Sequence, residues 1–263
     1  MAEGHAVARW AIALRALVGE EVVSVRAPAR WQARAAALVG APLADVRTFG
    51  KHLLLDYGEH VIHCHAMQYG SWQVGEPGMT LRKEPRYIRL HLTTPAHEAV
   101  YYHGPVMEIL TPDELAEHGA LRALGPDLLR EDFDREEVAR RMLAAGHRAL
   151  GDAVLDQRIV AGIGNIYKSE GLFLAHLDPR RRADSVTADE LEDLWEALIP
   201  LMRSGIERFG RTVTLPDDLL GDWQFNWVYR RRGRECLRCG GTVAMIRQGE
   251  LERATYFCPE CQA

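Results

Sequence analysis

The sequence predicts a multidomain α+β protein of 263 residues, in which a β-rich segment, a helical segment and a small β-ribbon follow one another. Three observations lead to this prediction. Short strand-like runs separated by Gly and Pro fill residues 1–110, helix-capping patterns mark the middle of the chain, and four of the five cysteines lie beyond residue 235. A chain of this length has room for two or three compact units.

The composition is that of an ordinary globular protein, with 47% hydrophobic and 26% charged residues, which excludes disordered and fibrous classes. No apolar run is long enough to span a bilayer, and the N-terminus lacks the pattern of a signal peptide. We therefore expect an intracellular, cytoplasmic protein without membrane contact.

The formal net charge of −5 weighs mildly against a nucleic-acid partner, although local charge matters more than the total. Arginines cluster at positions 180–182 and at positions 230–232 with Arg234. These runs predict one basic face; the alternative is that each run is merely a solvated surface.

The N-terminal segment predicts one helix followed by an antiparallel sheet. Apolar residues between Ala6 and Val18 have helical spacing. Seven strand-like runs then follow: Glu21–Arg26, Ala44–Phe49, His52–Tyr57, His60–His65, Ser71–Val74, Tyr87–Leu92 and Ala99–His103. Many short strands at this spacing are typical of an antiparallel sandwich or barrel.

Helices are predicted after the strands, first at residues 111–123 and then through a helical segment from about residue 127 to 215. Thr111 begins a capping box with proline at the first helical position, which predicts a helix to about Ala123. Asp134 can cap a second helix, and Thr187 begins another capping box whose helix should be strained near Pro200.

The last segment contains two Cys-x-x-Cys pairs, formed by Cys236 with Cys239 and by Cys258 with Cys261. Two such pairs, joined by a predicted hairpin over residues 240–257, can close a tetrahedral site for one structural Zn²⁺ ion. The alternatives are two disulfides or a redox pair. Cys64 is predicted to be a buried strand residue.

Residues 155–170, with the sequence LDQRIVAGIGNIYKSE, form the most specific stretch. Two glycines should bend the backbone before a helix that begins near Asn165. Backbone N–H groups at such a start can bind a phosphate. An ordinary corner between two helices explains the same pattern, and local physics leaves both interpretations open.

This stretch resembles the helix–two-turns–helix motif of the formamidopyrimidine-DNA glycosylase/endonuclease VIII family, and its GIGNIYKSE spelling is closer to endonuclease VIII. Three further landmarks resemble the family in the same order. They are the opening Met1-Ala2-Glu3-Gly4-His5, the run FGKHLLL at 49–55, and the terminus RATYFCPECQ at 253–262. The matches span the whole chain.

The resemblance implies a two-layered β-sandwich catalytic domain at 1–126, a helix–two-turns–helix DNA-binding domain at 127–219, and a zinc-finger β-ribbon at 220–263. In the family, DNA lies between the two halves. The implied protein is a cytoplasmic, nucleoid-associated monomer with one structural zinc ion. Its partner would be double-stranded DNA that contains a damaged base or an abasic site.

The implied activity is base-excision repair. The enzyme would flip a damaged base, expected to be an oxidised pyrimidine, out of the duplex and cut its glycosidic bond. By resemblance, the N-terminal amine of Ala2 is the nucleophile and supports abasic-site lyase chemistry. Glu3 is the general acid and base, and Lys51 holds the phosphate and sugar beside the lesion.

The resemblance also assigns DNA contacts. Asn165 and Arg253 would bind the phosphates that flank the flipped nucleotide, and positions 67–69 would fill the gap it leaves. The residues at positions 67–69 are Met67, Gln68 and Tyr69. The competing interpretations are a surface lysine at 51, a helix-capping Asn165, a hairpin-turn Arg253 and ordinary strand packing at 67–69.

Three aromatic residues precede the zinc finger, and they are expected to form core between the ribbon and the helical domain rather than to stack on bases. They are Trp223, Trp227 and Tyr229.

Position 2 departs from the family, because it is Ala where most members have Pro, and position 6 is Ala where classical members often have a carboxylate. Proline can form only a cationic iminium, which is an obligate electron sink for β-elimination. Alanine forms an ordinary imine that must be protonated to do the same. The sequence therefore predicts the lyase step less strongly. We expect Met1 to be removed; if it remained, the amine would be displaced by up to about 3.6 Å.

Three functions stay open at this point. The first is an active glycosylase with intact or weakened strand nicking. The second is a specialised glycosylase for bulky alkylated or cross-linked bases that uses water and Glu3, with little lyase activity. The third is a non-catalytic damaged-DNA-binding protein, against which the joint presence of Glu3, Lys51, Asn165 and Arg253 argues.

Overall fold

A computed structural model describes residues 2–208, 212–222 and 224–263, and the chain separates into two compact units, 1–123 and 124–263. Met1 and Trp223, on which two of the expectations rest, lie outside the described residues. Within the described part of the chain, no helix is long and apolar enough to cross a membrane.

The N-terminal unit contains eight strands among its described residues. They are β1 (Ser24–Arg26), β2 (Asp45–Phe49), β3 (His52–Asp56), β4 (Val61–His65), β5 (Ser71–Gly75), β6 (Ile88–Thr93), β7 (Glu98–Tyr102) and β8 (Val106–Leu110). They form two antiparallel four-stranded sheets, in the orders β1-β6-β7-β5 and β2-β3-β4-β8. Two separate sheets exclude the barrel and confirm the sandwich.

One apolar core joins both sheets to the first helix, α1 (Gly4–Leu14). It contains Leu14 of α1, Leu55 of β3 and Leu92 of β6, all fully buried. Helix α1 packs against β2, β3 and β5. Burial of this apolar surface provides most of the driving force for folding the unit.

Several boundaries in this unit differ from the sequence prediction. The helix begins at Gly4 and continues after Leu14 as a short 3-10 turn, and the first strand covers only Ser24–Arg26. The sequence prediction missed the helix α2 (Gln32–Ala36) and β8. Strand β8 lies directly before the Thr111 capping box and pairs with β4.

The helix predicted from Thr111 to Ala123 is two helices, α3 (Pro112–Ala116) and α4 (Gly119–Arg122). The Thr111 capping box is present. The chain leaves helical geometry at Glu117, and the side chain of His118 then accepts a hydrogen bond from the backbone N–H of Leu121. A glycine after His118 weakens helix continuation at this point.

The C-terminal unit contains four further helices and one hairpin among its described residues. They are α5 (Arg135–Ala144), α6 (Leu150–Ala153), α7 (Asn165–Leu174), α8 (Ala188–Glu207), β9 (Ala244–Gln248) and β10 (Arg253–Phe257). The predicted caps Asp134 and Thr187 are confirmed, and α8 continues through Pro200. Tyr167 and Trp195 are fully buried in the core of this unit.

Candidate functional site

The first residues of the chain are held against the turn that follows β4. The backbone N of Ala2 donates to the carbonyl oxygen of Met67 at 3.2 Å. Glu3 occupies the position before α1, and its carbonyl accepts from the N–H groups of Ala6 and Val7. Its side chain is fully buried and does not cap the helix, so the carboxylate has another role than helix capping.

Lys51 lies in the tight turn between β2 and β3, where Gly50 has a φ of 57°. Its side chain is 9% exposed, which contradicts the surface-lysine interpretation. Lys51 lines a small, mainly apolar cavity together with Val7 of α1 and Ala66. The fold therefore places Lys51 beside the helix that follows Glu3.

Met67, Gln68 and Tyr69 form a turn between β4 and β5, and all three side chains are exposed. Tyr69 is 74% exposed, and Met67 has a left-handed backbone with a φ of 50°. A Cβ on Gly70 would lie 2.7 Å from backbone atoms of Ala66, so this tight turn requires glycine. Ordinary strand packing of the three side chains is therefore contradicted.

The sequence predicted no role for four histidines of the N-terminal unit. His5 is buried, and that burial, with Arg9 as a further cause, lowers its pKa to about 4. His52 and His65 are cross-strand partners with ring centroids 4.4 Å apart. Burial lowers the pKa of His52 to about 2 and that of His65 to about 4. The fourth, His63, is also buried; the His-Cys-His spelling of β4 was the available signal.

In the C-terminal unit, the backbone turns between α6 and α7 as the two glycines predicted, although only Gly162 has a left-handed φ, of 101°. Gln157 fixes this turn, because its side chain donates to Ile163 O and accepts from Gly162 N. Gly164 is extended and precedes the first residue of α7, Asn165.

Asn165 and Arg253 are brought together in this unit. The side chain of Asn165 does not cap α7; its Nδ2 donates to the carbonyl oxygen of Ala254 at 2.8 Å. Arg253 is the first residue of β10 and follows the hairpin turn rather than lying in it. The helix-capping and hairpin-turn interpretations are both contradicted.

Arg253 also lines an open cavity of about 620 Å³, together with Arg148 and Arg158. Arg148 and Arg158 both pair with Asp156 at 2.8 and 2.7 Å. The Nε of Arg253 is buried without a hydrogen-bond partner among the described residues. Such a donor is a candidate ligand for an anion.

The predicted basic face at residues 180–182 is wrong. Each of the three arginines pairs with a carboxylate: Arg180 with Asp178 at 2.7 Å, Arg181 with Glu190 at 2.6 Å, and Arg182 with Asp184 at 2.5 Å. In the second run, Arg231 is buried and donates to Gln224 and to the carbonyl oxygen of Glu235.

A buried carboxylate in α7 was also missed. Glu170 is fully buried and accepts from the backbone N–H groups of Trp227, Val228 and Tyr229 at 2.8–2.9 Å, and from the hydroxyl of Thr214. Burial raises the pKa of Glu170, and these four hydrogen bonds oppose that shift. Glu170 therefore holds the segment that leads into the cysteine ribbon against α7.

The four cysteines of the ribbon converge. Their Sγ atoms all lie within 4.8 Å of one another, with 3.9 Å between Cys236 and Cys261 and 3.5 Å between Cys239 and Cys258. Four thiolates around a tetrahedral Zn²⁺ at about 2.3 Å lie about 3.8 Å apart. The set therefore fits one structural zinc ion, and these separations rule out disulfides, whose sulfurs lie about 2.0 Å apart.

Of the three aromatic residues before the ribbon, Trp227 and Tyr229 pack as expected, and Trp223 lies outside the described residues. Trp227 stacks on Phe173 of α7 at 5.6 Å, and Tyr229 meets Tyr256 of β10 at 5.3 Å. They fill the space between the helices and the ribbon of this unit. Cys64 is buried in β4, as predicted.

Three family models match consecutive parts of the chain. They are the formamidopyrimidine-DNA glycosylase N-terminal domain at residues 1–105, the formamidopyrimidine-DNA glycosylase H2TH domain at 124–217, and the zinc finger found in FPG and IleRS at 233–263.

Among similar proteins, "Probable endonuclease 8 2" of Streptomyces coelicolor is 42% identical over 83% of this chain and 78% of its own length. The "DNA-(apurinic or apyrimidinic site) lyase Nei2" of Mycolicibacterium smegmatis is 34% identical over 100% of this chain and 99% of its own. A crystal structure of Lactococcus lactis Fpg with DNA containing an abasic site superposes with a TM-score of 0.83 over the full length of both chains. At 22% identity, this likeness shows the shared fold.

Proposed function

Because the chain belongs to the formamidopyrimidine-DNA glycosylase/endonuclease VIII family, we propose that it is a base-excision repair DNA glycosylase that is also an abasic-site lyase. The observation that supports this most strongly is the fully buried carboxylate of Glu3, which directly follows Ala2 in a unit that also buries Lys51. Burial of a carboxylate is costly, so such groups are often functional.

The proposed chemistry starts with a damaged nucleotide flipped out of the duplex. The lone pair of the Ala2 amine attacks the sugar C1′ while the bond from C1′ to the base breaks. The base leaves with the electron pair of that bond and takes up the proton that the amine loses. Glu3 donates a proton to the sugar ring oxygen, so that the ring opens and an imine forms between Ala2 and C1′. An unperturbed α-amine has a pKa of about 7.7–8.0, so a useful fraction is neutral near pH 7.

The proposed DNA contacts use both units. Lys51 would bind the backbone beside the lesion, and Asn165 with Arg253 would bind the flanking phosphates. The exposed turn formed by Met67, Gln68 and Tyr69 would fill the gap left by the flipped base, because apolar and aromatic side chains can replace lost stacking.

In this proposal residues 1–126 carry catalysis, residues 127–219 bind DNA, and residues 220–263 form the zinc-finger ribbon. The protein would act as a monomer inside the cell, on the nucleoid. Oxidised pyrimidines are the proposed substrates, because relatives named endonuclease 8 are among the similar proteins.

Two other functions lead to different measurements. A glycosylase for bulky alkylated or cross-linked bases would release such adducts by water attack with little strand nicking; the alanine at position 2 motivates it. A non-catalytic binder of damaged DNA would behave identically after Glu3→Gln, and the burial of Glu3 disfavours it.

The decisive experiment is borohydride trapping on a duplex with one abasic site, after mass spectrometry of the N-terminus. We expect a covalent adduct on the tryptic peptide that begins at Ala2 and ends at Arg9. Ala2→Pro should trap at least as well, and one extra residue before Ala2 should abolish trapping. No adduct with Met1 absent would reject the lyase proposal.

Lys51→Ala and Lys83→Ala form a matched pair for the same assay. Lys51 is buried next to α1, whereas Lys83 lies against the ring of Tyr102. The Lys51 variant should lose most trapping and excision, and the Lys83 variant should keep both. Equal losses would show that general charge, rather than the position of Lys51, supports DNA binding.

A further inference from the structure

Three potential metal ligands converge in the N-terminal unit, far from the four cysteines in sequence. His63 lies on β4 directly opposite Glu108 on β8, because the antiparallel register pairs these two positions. Glu108 and His118 are joined by α3, which returns the chain so that His118, before α4, faces the same carboxylate. Cross-strand partners and a short helix thus bring together residues 45 positions apart.

The ligand atoms have the spacing of a metal site. His63 Nδ1 lies 2.9 Å and His118 Nε2 lies 3.1 Å from Glu108 Oε2, and all three atoms lie within 4.8 Å of one another. Tetrahedral Zn²⁺ with nitrogen and oxygen ligands at about 2.0–2.2 Å separates neighbouring ligands by about 3.4 Å. The two separations from Glu108 Oε2 would each widen by a few tenths of an ångström around such an ion.

A neighbouring histidine orients the buried ligand. The Nε2 of His63 lies 2.8 Å from Nδ1 of His52, and the His52 ring stacks on that of His63. When Nε2 of His63 donates its proton to His52, Nδ1 keeps a lone pair that points at Glu108. Ligating histidines commonly use their second nitrogen in this way.

His118 needs one rearrangement. Its Nδ1 now accepts from Leu121 N–H at 3.4 Å, whereas a metal on Nε2 would place the ring proton on Nδ1. This contact lies beyond the usual range for an N–H donor, so its loss costs little.

The site is buried on one side and open on the other. The side chain of His63 is 1% exposed, those of Glu108 and His118 are 30% and 20% exposed, and an ion can enter from solution. Other histidine–carboxylate pairs, such as His97 with Glu20 at 2.8 Å, belong to no such group of three among the described residues. Apart from the four cysteines, His63, Glu108 and His118 are the one such group of three in the part of the chain that the structure describes.

We propose that His63, Glu108 and His118 bind a second metal ion, of the Zn²⁺ class. Two imidazoles and one carboxylate form a donor set that suits Zn²⁺ rather than Mg²⁺ or Ca²⁺. The ion would fix the α3–α4 segment to the second sheet, whose strand β4 leads directly into the exposed turn at residues 67–69.

The test is the zinc content of the full chain after dialysis in metal-free buffer. We expect two ions per chain in the wild type, and one in both His118→Ala and Glu108→Gln. His97→Ala, which removes a histidine paired to a carboxylate in the same unit, should retain two. Zinc X-ray absorption supplies an independent readout. The wild type should show nitrogen or oxygen ligands at about 2.0–2.1 Å beside sulfur at about 2.3 Å, and the His118 variant sulfur alone.

One zinc per chain with sulfur ligands only in the wild type would overturn the proposal. So would a second ion that is lost on dialysis, or one that both variants retain. Circular dichroism of each variant checks folding. If His118→Ala unfolds, the absorption spectrum of the wild type decides the question by itself.

Discussion

The two units hold the residues of the proposed site in different ways. In the N-terminal unit, Glu3 and Lys51 are buried beside an apolar core that both sheets and α1 share, so packing sets their positions. In the C-terminal unit, backbone hydrogen bonds to the carboxylate of Glu170 and four converging cysteines position the ribbon that carries Arg253. We expect the N-terminal unit to tolerate loss of a polar group better than the C-terminal unit, because its framework is apolar.

Zinc removal should produce the largest difference between the units. Cys258→Ser, or a strong chelator, should unfold the ribbon, since structural zinc contributes about 10–16 kcal/mol to folding of such sites. Displacement of Arg253 should abolish DNA binding. Hydrogen exchange should show unprotected amides in β9 and β10 and unchanged protection in β3 and β4. Loss of protection in both units would show that they depend on one another.

Glu3→Gln should have the next largest effect, and on activity alone. General acid–base groups contribute about 10²–10⁴-fold to rate, so base excision should fall by that factor. Stability should stay equal or rise, because a neutral amide replaces a buried carboxylate. Excision kinetics, DNA affinity and thermal unfolding check this. Glu21→Gln on the exposed surface is the control, and an unchanged excision rate in Glu3→Gln would reject the catalytic role.

Glu170→Ala tests the hydrogen-bonded arrangement of the C-terminal unit. It leaves three backbone N–H groups buried without their acceptor, each at a cost of about 1–3 kcal/mol, so the unit should lose at least about 3 kcal/mol. Urea unfolding and zinc retention should both decline. Glu196→Ala on the exposed side of α8 should change neither. Equal stability of the two variants would mean that water replaces the carboxylate.

Acid should weaken the N-terminal unit through His5. Its pKa is lowered from 6.5 to about 4. The contribution of neutral His5 to the free energy of unfolding is therefore complete above pH 6.5 and is lost as the pH falls from 6.5 towards 4. Between pH 7 and pH 5 this loss is about 2 kcal/mol. Over the same interval, the free energy of unfolding of His5→Gln should fall by about 2 kcal/mol less than that of the wild type. Hydrogen exchange of the β3 and β4 amides, followed in urea, measures this free energy for the N-terminal unit. Parallel pH curves would contradict the assignment.

Local signals in the sequence correctly predicted helix starts and the convergence of the cysteines. The capping boxes at Thr111 and Thr187 and the two cysteine pairs are present as predicted. One failure is local, the break between α3 and α4 at Glu117, and others involve distant partners. Strand β8 depends on pairing with β4, and Glu170 is buried because residues 227–229 direct their N–H groups towards it.

The prediction of positive charge at residues 180–182 failed for a local reason. Asp178 and Asp184 lie two residues from the arginines that they pair with, and Glu190 pairs with the third. In the proposed active region, the resemblance named Glu3 and Lys51, whereas the pairing of His52 with His65 follows from the sheet register. Pairing across strands cannot be obtained from spacing along one of them.

The smallest predicted difference compares the two capping boxes, which have the same bonds in different surroundings. Thr187 begins α8, which buries Leu194, Trp195 and Leu198 in the core of its unit, whereas α3, after Thr111, has no buried residue. Thr187→Ala should therefore cost about 1 kcal/mol in global unfolding of the C-terminal unit. Thr111→Ala should only increase local exchange around α3, since opening of that helix exposes no core. Equal global losses, measured by urea unfolding, would show that the cap acts independently of the core its helix covers.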